Sequence, residues 1–402
     1  MIVVGAGPAG ATTALLLARA GIDVLLLDRA TFPRPKPCGD CLSLGAGALL
    51  RRLGLLDAVL AADHAALDGW RIVAPDGAAF HASFDAVSSD CNGAIAIERA
   101  VLDDIILNAA LAAGARLQHA TVTDLSRDAN GTVTGVVTRG GVLRARWTVG
   151  ADGLRSVVAT RLDPRRTRSG LRKLSLTVHC DVRDVDGTGE MHVGDGICAG
   201  LARIGRAEQC NLTVVADSRR FGRDVARGPR EFMTRAIGSL PRLRNRVDPD
   251  ALANADILAS GPFDRPRSRI VVHGAVLVGD AAGYYDPFTG QGVYQAIASA
   301  ELLATQLIPA IRNGDHRARA LTRYVRGRSA LVGSARRVQR GIELVLSRPA
   351  LASRAIRRIG RAPAFARALL DVTGDVASAR VLLAPRALAS LLFTDPSLED
   401  AA

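Results

Sequence analysis

The segment Ile2-Val3-Val4-Gly5-Ala6-Gly7-Pro8-Ala9-Gly10, followed at residues 24–28 by Val-Leu-Leu-Leu-Asp, decides the fold. Three consecutive aliphatic residues predict a buried strand. Leu15, Leu16, Leu17 and Ala18 predict a helix ended by Gly21, and residues 24–27 predict a second apolar strand. Strand, Gly-x-Gly-x-x-Gly turn and helix in this order make a βαβ unit that binds a dinucleotide. Gly5 allows the tight turn, Gly7 the close approach of a pyrophosphate, and Gly10 the packing of helix on strand. The helix start, which also carries Pro8 and Ala9, offers N–H groups and a positive dipole end to the phosphates. Asp28, followed by Arg29, stands 18 residues after Gly10, where a carboxylate takes the ribose hydroxyls. The first strand has almost no lead-in, so a misassigned start codon or a trimmed chain is expected.

Three later stretches extend this site. Residues 149–156, Val-Gly-Ala-Asp-Gly-Leu-Arg-Ser, end a strand at small residues and at Asp152, a carboxylate able to hold a turn beside a cofactor. Residues 276–283, Val-Leu-Val-Gly-Asp-Ala-Ala-Gly, carry a strand into a small-residue loop, with Gly279 ahead of Asp280. Asp280 is placed there to accept a ribityl hydroxyl. Residues 286–293, Asp-Pro-Phe-Thr-Gly-Gln-Gly-Val, run into a predicted helix over 294–303. Pro287, Gly290, Gln291, Gly292 and Val293 build its start, and the two glycines let it approach a flat ring. Its dipole would stabilise negative charge on a reduced flavin. The dinucleotide these stretches fit is FAD.

Together they resemble the FAD fingerprints of the p-hydroxybenzoate hydroxylase fold. Residues 97–103, Ile-Glu-Arg-Ala-Val-Leu-Asp, are similar to that family's helix-opening segment, whose arginine, here Arg99, lies near the flavin diphosphate. Residues 32–40, Phe-Pro-Arg-Pro-Lys-Pro-Cys-Gly-Asp, resemble a segment of geranylgeranyl-reductase-like flavoproteins. The resemblance spans residues 2–310. It implies an α/β chain (α+β overall) with a discontinuous Rossmann-like FAD-binding domain in three parts, residues 1–67, 96–165 and 266–309. A substrate-sheet hairpin at 68–95 and an antiparallel β-sheet substrate domain at 166–265 would cross it. An Arg-rich helical C-terminal region at 310–402 completes the expectation.

The resemblance also implies two chemistries. Reductase-like relatives reduce C=C bonds of an isoprenoid or other apolar substrate by hydride transfer from reduced FAD, and this is the function expected here. Hydroxylase-like relatives act as monooxygenases through a flavin C4a-hydroperoxide, which is the alternative. Cys38 and Asp40 favour the reductase branch, where a thiol and a carboxylate near the ring supply or relay a proton. The competing reading packs Cys38 and uses Asp40 to cap a helix beginning near Leu42. Tyr284, Tyr285 and Phe288 either line the substrate side of the flavin or pack in the core. His179 and His192 fall on predicted strands and read as hydrogen-bonded sheet residues. The Trp-x-Trp-x-Ile-Pro motif of flavin halogenases is missing, the only tryptophans being Trp70 and Trp147. A flavin-binding module without turnover is the non-enzyme alternative, and the intact Gly, Asp and Pro positions count against it. NAD(P)H or a protein electron donor is expected as reductant.

The 402 residues are 48% hydrophobic and 23% charged, which excludes a disordered, collagen-like or disulfide-scaffold chain. Aromatics at 4% argue against base stacking, so no nucleic-acid partner is expected. Residues 310–367 hold fifteen arginines against Asp315 and Glu343, a balance that equals the net charge of +13 of the whole chain. Arginine on solvated helix faces is one reading. An anionic partner, met as a peripheral membrane or carrier contact, is the other. Leu331, Ala335, Val338, Ile342 and Val345 recur at helical spacing within this region. Among six cysteines only Cys38 and Cys41 form a Cys-x-x-Cys, which leaves no zinc spacing and permits one redox disulfide. No metal is expected. Without a signal peptide or a long apolar run the protein is expected in the cytoplasm, with a membrane-peripheral position as the variant.

Overall fold

The computed structural model describes residues 1–84, 93–163, 170–205 and 209–392. A six-stranded sheet runs Val271–Val272, Ala275–Leu277, Thr148–Gly150, Ile2–Val4, Leu25–Asp28, Arg116–His119. All neighbours are parallel except the first pair. Inner parallel strands are buried on both faces, which is why Ile2–Val4 and Leu25–Leu27 read as unbroken aliphatic runs, whereas the edge strand Arg116–His119 is exposed and polar. Helices Pro8–Arg19, Arg99–Ala112 and Gly292–Arg312 pack on one face around Leu15, Leu17, Ile106 and Leu303. The other face is covered by the three-stranded meander Val122–Arg127, Val133–Thr138, Gly141–Arg144 and by helix Val157–Leu162.

A second sheet of seven strands runs Leu258–Ser260, Lys173–Asp181, Gln209–Asp217, Ile197–Arg203, Gly189–Val193, Gly69–Val73, Ala79–Ser83. It is antiparallel except where Gly189–Val193 pairs with Gly69–Val73, which joins the early hairpin to the later strands. Helix Pro229–Gly238 buries Phe232, Met233 and Ile237 against one face of this sheet. The opposite face stays open toward the FAD-type sheet. Residues 85–92, including Cys91 and the end of the expected hairpin, and residues 164–169, where two expected segments meet, lie outside the described residues.

The C-terminal region is helical: Thr322–Leu346, Pro349–Gly360, Pro363–Thr373 and Pro385–Leu392. Pro349, Pro363 and Pro385 each open a helix, where a missing N–H costs nothing. Pro309, in contrast, lies inside a helix. Helix Gly292–Arg312 continues through it, because Pro309 sits in the last turn and removes only one ladder bond. Among the described residues no helix is long and apolar enough to cross a membrane, and no cluster of metal-binding side chains occurs. Cys38 and Cys41 are both free thiols.

Candidate active site

The glycine turn divides its tasks between packing and open space. A Cβ on Gly5, at φ +98°, would lie 2.4 Å from the Ala151 carbonyl oxygen, and one on Gly10 would lie 1.8 Å from the Gly5 carbonyl oxygen. A Cβ on Gly7 would meet nothing nearer than Arg34 Nη2 at 3.6 Å. Gly7 is also the N-cap of helix Pro8–Arg19, and no side chain caps that end. Asp28 is buried and holds the turn from the second strand, accepting from Ala6 N at 2.7 Å and Ala30 N at 2.9 Å.

Cations collect around this open end. Arg34, Lys36 and Arg99 all line the same cavity, as does Arg29. Arg99 is buried and is held by Asp103, with Nε and Nη2 donating at 2.9 and 3.0 Å. Arg34 Nε is buried without a partner. Burial, then the nearby Arg99 guanidinium, push the Lys36 pKa down. A cradle that a Cβ would fill, beside three clustered cations and an unsatisfied guanidinium N–H, fits the diphosphate of FAD.

Farther along the cavity lie Asp152, Asp280, Pro287, Phe288, Gly290, Gly292 and Val293. Asp152 accepts from Ser156 Oγ at 2.5 Å, Val157 N at 2.6 Å and Val158 N at 3.2 Å, so it fastens the start of helix Val157–Leu162. Burial pushes its pKa up. Gly279 and Asp280 open a short 3-10 turn, Gly279–Ala282. Two residues that sequence reasoning missed brace this turn. Tyr324 Oη donates to the Leu277 carbonyl at 2.6 Å, and buried Arg328 Nη2 donates to the carbonyls of Gly279 at 3.2 Å and Gly283 at 2.9 Å.

The next loop is tied to the C-terminal helices in the same way. Asp286 is buried, accepting from Phe288 N and from Lys173 Nζ, both at 3.0 Å. Gln291 does not line the cavity. Its Nε2 donates to Asp375 Oδ1 at 2.6 Å and the Val372 carbonyl at 3.3 Å. Asp375 also accepts from Ser43 Oγ at 2.7 Å, and its burial raises the pKa to about 7. Because the folded pKa lies above the unfolded one, this docking is strongest below about pH 4 and weakens as pH rises to about 7. Asp375 takes φ +63°, which asparagine tolerates. Asp375→Asn is therefore expected to raise the hydrogen-exchange protection of helix Pro363–Thr373 at about pH 8 and to remove the pH dependence of that protection between about pH 5 and pH 8, exchange rates being referred to those of the unfolded chain at each pH.

Cys38 and Tyr284 line the cavity. Asp40 does not. It is 2% exposed and takes φ +55°. It accepts from His179 Nε2 at 2.6 Å, Asn211 Nδ2 at 2.7 Å and Arg99 N at 3.2 Å. Asn211 Nδ2 also donates to the Cys38 carbonyl at 2.7 Å, so this network sets the backbone that carries the thiol. The alternative of a helix cap at Asp40 is corrected as well. Ser43 caps helix Leu44–Arg52, accepting from Ala46 N at 3.2 Å. Tyr285 is corrected away from this cavity, since its ring lies under Arg336 and Arg340 at 5.1 and 5.8 Å. Tyr284 packs edge-on against Phe263 at 5.8 Å, and burial, then Asp280, push its hydroxyl pKa well up. His192 is buried against Glu190 at 2.7 Å, within the second sheet as read.

The cavity encloses about 1160 Å³. Its lining includes Gly7 and Asp28, Cys38 and Tyr284, and residues of the second sheet and of the C-terminal helices. Trp70, Ile72 and Phe80 of the second sheet and Val338, Ile342 and Leu369 of the C-terminal helices are among its apolar lining. The apolar face at 338, 342 and 345 is thus neither on solvent nor merely packed, but lines the chamber.

Two packed sheets with a phosphate cradle opening on an apolar chamber define a dinucleotide-dependent oxidoreductase. Residues 1–338 match the family described as FAD binding domain, and the chain belongs to that FAD-dependent oxidoreductase and monooxygenase family. It is 31% identical over 329 residues to menaquinone reductase of Mycobacterium tuberculosis, covering 76% of each chain. It is 28% identical over 336 residues to digeranylgeranylglycerophospholipid reductase 1 of Methanothermobacter thermautotrophicus, covering 81% of each. To conditioned medium factor receptor 1 of Dictyostelium discoideum it is 29% identical over 343 residues, 80% of this chain, and spans 65% of that protein. Among solved structures it resembles PqsL of P. aeruginosa in complex with 2-aminobenzoylacetate, with a TM-score of 0.71 at 23% identity over 87% of this chain and 97% of that one. That likeness shows the fold. FAD is the cofactor of this family.

Proposed function

We propose that the protein is a reductase that adds hydrogen across a C=C bond of a long apolar, isoprenoid-like substrate. The observation that carries this reading is the continuity of the cavity from the glycine cradle into the apolar chamber. Its volume of about 1160 Å³ exceeds the roughly 300–1,000 Å³ of an ordinary small-ligand site, which suits cofactor and chain together. Two of the relatives are named as reductases, one of menaquinone and one of a geranylgeranyl lipid.

Bound FAD supplies the hydride. In this reading the open side of Gly7, with Arg34, Lys36 and Arg99, holds its diphosphate. Asp28 takes the ribose, Asp280 the ribityl chain, and the helix start at Gly290–Gly292 approaches the ring. Asp152, Pro287 and Val293 shape the walls. Tyr284 Oη, kept protonated by burial, gives the proton that completes the reduction, and Cys38 Sγ beside it shapes and relays. Phe288 presses the substrate toward the ring. Asp40 acts through Cys38 as a positioning residue. The chamber walls exclude water. NAD(P)H or a protein donor returns the electrons, and the exposed arginines of the C-terminal helices meet an anionic membrane or carrier.

The test uses FAD-loaded protein, reduced and kept free of oxygen, mixed with a polyprenyl quinone or a geranylgeranyl lipid. The expected result is flavin reoxidation matched by a product richer by two hydrogens. Tyr284→Phe is expected to slow that reoxidation by about 10²–10⁴-fold, read by stopped-flow absorbance. Absence of anaerobic reoxidation, with oxygen incorporated into the same compounds in air, overturns the reading in favour of hydroxylation.

A further inference from the structure

A second, smaller cavity of about 360 Å³ lies where the second sheet meets helix Thr322–Leu346. Its walls carry five cations, Arg172, Lys173, Arg219, Arg336 and Arg340, and three carboxylates, Asp217, Asp264 and Glu343. Two positive charges are left over. Asp286, from outside the lining, takes up part of this surplus through Lys173, and the rest is unevenly placed. Lys173 is satisfied by Asp286 at 3.0 Å and by Glu343. Asp264 is shared among Arg336 Nη2 at 3.1 Å and the N–H groups of Gly170 and Leu171. Asp217 is turned to the Arg219 N–H at 2.7 Å, a backbone contact.

The side chains of Arg172, Arg219 and Arg340 have no carboxylate partner among the described residues. Arg336 Nε is buried with no acceptor. Arg336 and Arg340 also crowd one aromatic ring, that of Tyr285, from the same helix face. Two like charges one turn apart repel unless something between them carries negative charge. A buried guanidinium N–H without an acceptor likewise costs free energy. Both costs vanish if an anion of about two charges occupies the cavity, and a phosphate group carries about −1.5 to −2 at neutral pH. Planar guanidinium forks from the residue before strand Lys173–Asp181, from the start of helix Ser218–Arg227 and from helix Thr322–Leu346 suit its oxygens.

We infer that this cavity is a phosphate-binding site, separate from the FAD cradle, in which Arg219 and Arg340 grip the phosphate from opposite walls and Arg336 donates Nε to it. The ligand class is a phosphate monoester or diphosphate, either as a soluble ester or as a lipid headgroup. The inference stands apart from the reductase reading, because it needs neither the flavin nor the apolar chamber.

Calorimetric titration of the FAD-loaded full chain with inorganic phosphate and with pyrophosphate tests it. One saturable site is expected. Arg340→Gln and Arg219→Gln, both exposed residues, are each expected to weaken it about tenfold and together about a hundredfold. Flavin absorbance and melting temperature should be unchanged in both variants. Binding that is unsaturable, or equally tight in the double variant, overturns the site. Competition against bound phosphate then names the source, since displacement by phosphatidic acid vesicles supports a headgroup and displacement by glycerol phosphate alone supports a soluble ester.

Discussion

Gly7→Ala is expected to give a folded protein that no longer holds FAD, whereas Gly10→Ala is expected to give a protein that scarcely folds. Both substitutions add one methyl group to the same turn. On Gly10 that methyl would lie 1.8 Å from the Gly5 carbonyl oxygen and 3.1 Å from Ala151 Cβ, so the helix must move off the strand. Alanine gains about 1 kcal/mol of helix propensity there, but overpacking of a rigid backbone contact costs roughly 3 kcal/mol or more, and the steric term wins. Gly7 takes φ −72°, which any residue adopts, and its methyl would meet Arg34 Nη2 at 3.6 Å, an ordinary contact. The apoprotein should therefore keep its melting temperature. What the methyl does fill is the space in front of the uncapped helix start, where the diphosphate is proposed to sit. Flavin absorbance after gel filtration, set beside thermal denaturation of the apoprotein, separates the two outcomes. Stoichiometric FAD in Gly7→Ala would falsify the cradle.

The contrast between these two glycines shows why the first βαβ unit was readable. The turn's own demands are local, namely Gly5 at φ +98°, the Gly5 carbonyl 1.8 Å from a Cβ on Gly10 and the open helix start at Gly7, whereas the contacts of Gly5 and Gly10 with Ala151 come from the end of a strand far along the chain and have no local sign. The support of the site was not readable. Arg328 braces the Asp280 turn from a helix that begins more than forty residues later, and in sequence it is one of fifteen arginines in a basic stretch. Gln339 donates to Thr289 Oγ1 at 2.7 Å, and Asp375 receives Gln291, and neither carries a local pattern that marks a buried polar role. Asp40 was found as a residue and misplaced as a group. The Cys-Gly-Asp run brings it near the ring in sequence, but its partner His179 is 139 residues away and draws the carboxylate off the cavity.

That placement leads to the second large effect. Asp40→Ala is expected to destabilise the protein by about 3–5 kcal/mol, the usual result of removing one partner from a buried polar pair. Three donors lose their acceptor at once: His179, Asn211 Nδ2 and Arg99 N. The alanine would also have to hold φ +55°, which costs a further ~1–2 kcal/mol. Asp40→Asn separates charge from shape. Asparagine accepts the left-handed conformation and keeps one acceptor oxygen, so it should lose roughly half as much. The hydrogen bond to Asp40 raises the His179 pKa above its ordinary value. The stability from that pair is therefore fully present below about pH 6.5, the unfolded value, and is lost as pH rises through the higher folded one. In Asp40→Asn the His179 ring should titrate close to about 6.5 by NMR, and the alkaline loss of stability should flatten. The same variant decides whether Asp40 positions or donates. With Asp40 off the cavity and Asn211 still able to hold the Cys38 carbonyl, FAD content should be retained, and substrate-driven reoxidation should slow without losing its pH profile. Loss of the alkaline limb of that profile would instead make Asp40 the proton source, against its burial behind the thiol.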